Sequence, residues 1–181
     1  MSAFRRMLAA GLACFASLAA AQSPDQQAAE RALGPHWKQI ARAAGIIFVG
    51  SVVHVERLPA SHDHPIPAIQ TKFSVERAIA GTHLGQVLTL QEWAAIEPME
   101  RPLRQGQRAL YLFYPPSRFG LTSPDAGSLG QVMIDRYGNV IASQFPMNWR
   151  TAVMRLPKPN SGRLTVQQLE RAIRSARREK E

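Results

Sequence analysis

Two histidines in one loop have the residue type and spacing for metal chemistry. His62 and His64 flank Asp63 in a proline-rich segment. Imidazole and carboxylate groups are common ligands of zinc and copper. A stable site needs three or four ligands, and the sequence fixes no third ligand near this loop. A solvated polar loop and a metal-holding periplasmic protein both remain open.

Three carboxylates near one predicted strand end could serve acid–base chemistry. Glu92, Glu97 and Glu100 lie close together in the chain. Glycoside hydrolysis needs two carboxyl groups at a set separation across a cleft, which spacing in the sequence does not give. Ser123 precedes a proline and lacks the Gly-x-Ser-x-Gly turn of a hydrolase nucleophile. We expect the carboxylates to form a soluble rim, with an envelope hydrolase as the alternative.

Aromatic and arginine side chains in the second half of the chain could form a stacking surface for bases or sugars. Strand alternation puts Tyr111 and Phe113 on one face and Tyr114 on the other, so part of the set must belong to the core. The whole set is Tyr111, Phe113, Tyr114, Phe119 and Tyr137, with Arg104, Arg108, Arg118 and Arg136.

The N-terminal segment is typical of a secretory signal peptide. It has a basic start, a short apolar run and a small-residue exit, and we expect cleavage after Ala21. The single cysteine, Cys14, lies in this run. Lipidation of Cys14 fits less well, because Gly11 stands where a large aliphatic residue is wanted. The expected mature chain is periplasmic or secreted and has no disulfide.

The chain is strongly basic. Its net charge is +9, from 22 basic and 13 acidic residues, and loss of Arg5 and Arg6 with the signal would lower that by two, to +7. This excess favours anionic partners such as envelope polysaccharide or lipid head groups, although it can also simply keep a protein soluble. Export disfavours nucleic acid as the partner.

Two short helices are predicted before the first strand. Ser23 and Gln26 form a capping box at the start of the first helix, which stops before Gly34. A second helix begins near His36, and Gly45 is predicted to end it in the left-handed conformation. Its apolar stripe consists of Trp37, Ile40, Ala41 and Ala44.

The last predicted helix begins with a second capping box, formed by Thr165 and Gln168, and runs to about Arg178. Leu164 and Leu169 are placed to form a hydrophobic staple. We expect the apolar side to be buried and the basic side, with Arg171, Arg174 and Arg178, to be solvated.

The middle of the chain is rich in strand patterns. Residues 45–56 are predicted to form one long buried strand bent at Gly50, because an interior glycine marks a bulge or a close approach. Further strands are predicted at 69–80, 87–93 and 109–114, followed by a glycine-rich loop and a hairpin around Gly138. Turns and loops join the strands, which favours an antiparallel sheet.

The predicted fold is therefore mainly β: a small antiparallel OB-like Greek-key barrel with N-terminal helices and a C-terminal helix. The predicted organisation is a signal peptide at 1–21, an N-terminal helical segment at 22–44, the barrel at 45–144, an irregular linker at 145–163 and a basic helix at 164–181.

Residues 43–52, 73–77 and 106–113, together with Gly81, resemble bacterial relatives of the netrin-like domain. This is the barrel shared with tissue inhibitors of metalloproteinases and complement proteins. The resemblance covers residues 41–114, mostly at apolar and glycine positions, so it implies a fold more than an activity. Gly45 and Ala80 depart from the acidic residue and the lysine that relatives usually carry at these positions.

The resemblance does not extend to the inhibitory chemistry. Those inhibitors hold the enzyme's zinc with a mature N-terminal cysteine, whereas this chain is expected to begin near Gln22 without cysteine. We therefore expect an exported non-enzymatic binding or interaction module. Its partner would be a protein or an anionic envelope component, engaged through the barrel loops or the C-terminal helix. We assign no catalytic, cofactor-binding or metal residues, and the oligomeric state stays open.

Overall fold

The computed structural model describes residues 22–60, 67–94, 103–125, 127–141 and 163–179. The predicted signal peptide, the loop with His62 and His64, Glu97 and Glu100, and most of the predicted linker lie outside these residues. The helices are α1 (Pro24–Leu33), α2 (Trp37–Ala43) and α3 (Val166–Arg178). The strands are β1 (Ile46–Leu58), β2 (Ala68–Ala80), β3 (Val87–Trp93), β4 (Arg108–Phe113), β5 (Leu121–Thr122) and β6 (Gln131–Met133).

The strands form one six-stranded sheet in the order β5-β3-β2-β1-β4-β6. This confirms the mainly β prediction. The prediction of a purely antiparallel sheet is wrong, because β3 and β5 are parallel and the sheet is mixed. β5 lies within the predicted glycine-rich loop. β5 and β6 are the two edge strands of this sheet, so the six strands are not closed into a barrel.

The pairing of β1 is irregular at its central glycine, where the sequence predicted a bulge or a close approach. Its register with β2 shifts at three places, one of them between Val49 and Gly50. A Cβ on Gly50 would lie against the backbone oxygen of Ser74 and 3.1 Å from the Phe48 ring, so only glycine fits there without movement.

The predicted left-handed helix end at Gly45 is wrong. Ala44 caps α2 in an extended conformation, and the φ angle of Gly45 is not positive. The glycine serves close packing instead, because a Cβ on it would approach the Pro115 ring to 2.6 Å.

Two apolar clusters occupy the two faces of the first half of β1. On the outer face, Ile47 and Val49 pack with the buried sides of all three helices. On the inner face, four buried aromatic rings meet in edge-to-face and stacked contacts, such as Phe48 with Phe73 at 5.3 Å and 75°. These rings belong to Phe48, Phe73, Tyr111 and Phe113.

Both predicted capping boxes are confirmed. In each, the side chain of the N-cap residue, Ser23 or Thr165, accepts from the backbone three residues on, and the glutamine side chain accepts in return. The apolar stripes predicted for α2 and α3 are buried. Leu164 packs against the cluster that contains Leu169, the arrangement that a hydrophobic staple needs.

The arginine face of α3 is exposed to solvent as predicted, but two of its three residues also make ion pairs within the fold. Arg171 makes a two-pronged ion pair with Asp25 of α1, at 2.7 and 2.8 Å. Arg174 pairs with Glu170 and donates to the backbone oxygen of Ala78 on β2. These arginines attach α3 to the rest of the fold.

Candidate binding surface

The second half of β1 and its neighbours β2 and β3 present an exposed polar face. The helices pack on the sheet where β1 begins, so the outer side chains beyond Gly50 remain at the surface. We call this surface the open face. It consists of six residues that alternate with inward residues along their strands: exposed Glu56, Lys72, Thr89 and Trp93, and half-buried Gln70 and Gln91.

The strand register aligns these side chains in rows across the sheet. One row joins Glu56, Gln70 and Gln91, and the amide of Gln91 donates to the Gln70 oxygen at 3.2 Å. The next row joins His54, Lys72 and Thr89. Donors, acceptors and an ammonium group thus lie side by side on this surface.

An exposed indole forms the rim of the open face. Trp93 is 57% exposed at the end of β3, although large aromatic side chains usually bury most of their area. Two residues earlier, Gln91 pairs with Leu121 of β5. The loop that leads into β5 carries Phe119, which is 63% exposed and has the Arg118 guanidinium 4.7 Å from its ring centre.

The predicted aromatic set divides between core and surface. Tyr111 and Phe113 are fully buried, which confirms that part of the set is core, while Phe119 and Tyr137 are exposed. Tyr137 lies in the hairpin after β6, next to the start of β4, whereas Phe119 follows the end of β4. These two exposed rings therefore do not form one surface.

The predicted arginine partners also divide. Arg118 and Arg136 each stack on the neighbouring aromatic ring. Arg108 is engaged within the fold, because it pairs with Glu76 at 2.7 Å and donates to the Asp135 oxygen. Arg104 lies in the turn before β4.

Glu92 lies on the opposite face from its neighbour Trp93. Glu92 is only 2% exposed, and its Oε1 atom has no hydrogen-bond partner among the described residues. Burial raises the pKa of this carboxyl to about 7. The soluble-rim prediction is therefore wrong for Glu92, and Glu97 and Glu100 lie outside the described residues.

The described part of the chain holds no group of three or more histidine, cysteine, aspartate or glutamate side chains suited to a metal ion. His62 and His64 lie outside it, so their metal binding stays a prediction. Within the same residues, no helix has the length and apolar character needed to cross a membrane.

Sequence reasoning placed Gln70 and Lys72 on one strand face but did not identify the open face. The available signal was the matching alternation on β3, where Thr89, Gln91 and Trp93 share one side. No protein-family model matches the chain, and the searches of curated proteins and of solved structures return no significant match.

Proposed function

We propose that this chain is an exported, non-enzymatic binding module whose open face binds an anionic polysaccharide of the cell envelope. The observation that carries the proposal is the pair of amide side chains of Gln70 and Gln91, with Lys72 in the next row on one side and the exposed indole of Trp93 two residues along β3 on the other. A sugar ring can stack its apolar side on an indole, while its hydroxyl groups exchange hydrogen bonds with amides. A carboxylated sugar would add an ion pair with Lys72.

We also propose that the sheet belongs to a Greek-key barrel of the netrin-like OB type. The chain after β5 supports closure, because the Asp125 amide donates to the Leu112 oxygen at 2.8 Å and Pro124 bridges Phe113 on β4. In barrels of this type, the faces of the second and third strands and two adjacent loops bind oligonucleotides and oligosaccharides. The position of the open face, on β2, β3 and the end of β1, supports binding at such a surface here.

The charge of the chain supports an anionic ligand. The expected mature chain keeps a net charge of +7, the +9 of the sequence less Arg5 and Arg6, although Arg171 and Arg174 of α3 form ion pairs within the fold. Lys72 on the open face and Arg118 in the loop before β5 are cations placed near the proposed site. Opposite charge raises the local ligand concentration and weakens with added salt.

Affinity electrophoresis through gels that contain alginate or neutral dextran tests this proposal. The wild-type protein is expected to be retarded by alginate, less so at high salt, and hardly by dextran. Trp93→Ala should weaken alginate binding about tenfold, the loss expected for one stacking contact of roughly 1–3 kcal/mol. Tyr137→Ala removes another exposed ring and is the matched control. No retardation, or equal loss in both variants, contradicts the proposal.

An envelope hydrolase is the alternative, and it would depend on Glu92. A buried carboxyl with a pKa of about 7 has the property that a general acid needs. The test is whether the wild type releases reducing ends from alginate. If it does, and Glu92→Gln does not, the protein is a hydrolase and the non-enzymatic proposal is wrong. Metal analysis of the purified protein tests the remaining alternative, an ion held by His62 and His64.

A further inference from the structure

The contact between β3 and β5 is the shortest strand pairing in the sheet that the structure describes. It joins two residue pairs, Gln91 with Leu121 and Glu92 with Thr122. The ladder on the other side of β3, with β2, joins seven pairs. A change that strains β3 will therefore separate it from β5 more readily than from β2.

A buried acid lies at this junction. Glu92 is 2% exposed and faces inward between Ile69 of β2 and Thr122 of β5. The Thr122 hydroxyl is committed to the Tyr114 backbone oxygen, at 2.6 Å. The nearby Thr71 hydroxyl is fully buried and also has no partner among the described residues.

No charge compensates an ionised Glu92 from the strands beside it. Ile69 and Thr71 face it from β2 and Thr122 from β5, and none of them is charged. The other buried titratable groups among the described residues are Tyr111 of β4, which belongs to the inner cluster, and Asp125 after β5. Among the described residues, an ionised carboxylate here would therefore be buried without a cation beside it, which is strongly unfavourable.

We propose that Glu92 is a pH-sensitive latch: its neutral form keeps β5 on β3, and its ionised form releases β5 so that water can reach the carboxylate. Because burial raises the pKa of Glu92 to about 7, the two forms exchange near neutral pH. Release of β5 separates it, with the loop that carries Arg118 and Phe119, from β3 and opens this end of the inner face. The Tyr114 and Ser117 amides keep their hydrogen bonds to the Ser123 and Leu121 oxygens, so the loop stays attached to the end of β4. The latch does not depend on the proposed ligand.

Hydrogen exchange measured by NMR tests the latch in the intact protein. After correction for intrinsic rates, protection at Gln91, Trp93 and residues 121–122 should fall at least tenfold between pH 5.5 and pH 8.5 in the wild type. Protection at Phe48 and Val75, in the middle of the sheet, should stay constant. In Glu92→Gln, β5 should stay paired with β3 at both pH values. Glu30→Gln, which removes a carboxylate that lies in α1, is the control and should behave like the wild type.

Two results would overturn the latch: an equal loss of protection in Glu92→Gln, or a loss spread evenly over the sheet. If Glu92→Gln does not fold, the carbon chemical shift of the Glu92 carboxyl in the wild type decides. A titration midpoint near 7 with coincident shifts at residues 121–122 supports the latch. A midpoint near 4.5 contradicts it.

Discussion

Replacement of Glu92 by glutamine should make this protein more stable at pH 8 while leaving it nearly unchanged at pH 4. The carboxyl has a pKa of about 7 in the folded chain and 4.5 as a free side chain. Between these values the folded protein keeps a proton that the unfolded chain has released. The free energy of unfolding therefore falls as pH rises through this window, by about 1.4 kcal/mol per pH unit.

Between pH 4.5 and pH 7 the free energy of unfolding falls by about 3 kcal/mol. This is an upper limit, because release of β5 would let water reach the ionised carboxylate without unfolding the protein. Glutamine has nearly the same shape and cannot ionise, so its curve lacks this fall. We expect Glu92→Gln to exceed the wild type by about 1–3 kcal/mol at pH 8.

Urea unfolding at pH 4, 6 and 8, followed by circular dichroism, measures this difference. The comparison between the two proteins cancels the other titrating groups, which both share. Glu30→Gln controls for the removal of one negative charge. Parallel stability curves for wild type and Glu92→Gln, or a variant that is weaker at pH 8, would refute the reasoning.

Three further substitutions test the packing, each by urea unfolding at pH 6. Gly50→Ala forces a Cβ against the Ser74 oxygen and should cost about 1–3 kcal/mol; unchanged stability would remove the steric account of the bend. Ile173→Ala empties a fully buried position on α3 and should cost about 2–5 kcal/mol, and a cost below 1 kcal/mol would contradict its place in the core. Arg177→Ala removes donors to the Ala41 and Ala44 oxygens and should cost about 1.5–3 kcal/mol. Arg178→Ala is the control for this substitution. Equal losses of stability in the two variants would show that the hydrogen bonds of Arg177 to Ala41 and Ala44 do not stabilise the fold.

The helices and long strands could be predicted because their signals are local. A capping box involves residues three apart, and alternation of apolar residues marks a half-buried strand. The bend at Gly50 also followed from a local rule, since an interior glycine indicates a close approach of backbone.

Other features depend on residues far apart in the chain. β5 has only two paired residues and is defined by its pairing with β3, so the sequence has no periodic pattern that predicts it. Asp25 and Arg171 are 146 residues apart, and the sequence alone does not bring them together. The burial of Glu92 had a usable signal: Leu88 and Leu90 point inward on the same strand, and Glu92 continues their alternation.

The open face makes the most direct claim about function, and NMR titration of labelled protein with a carboxylated oligosaccharide tests it. We predict shifts at the Trp93 indole, at the side-chain amides of Gln70 and Gln91, and at Lys72, with α3 unaffected. Shifts confined to the arginines of α3, or none at millimolar oligosaccharide, would contradict the account.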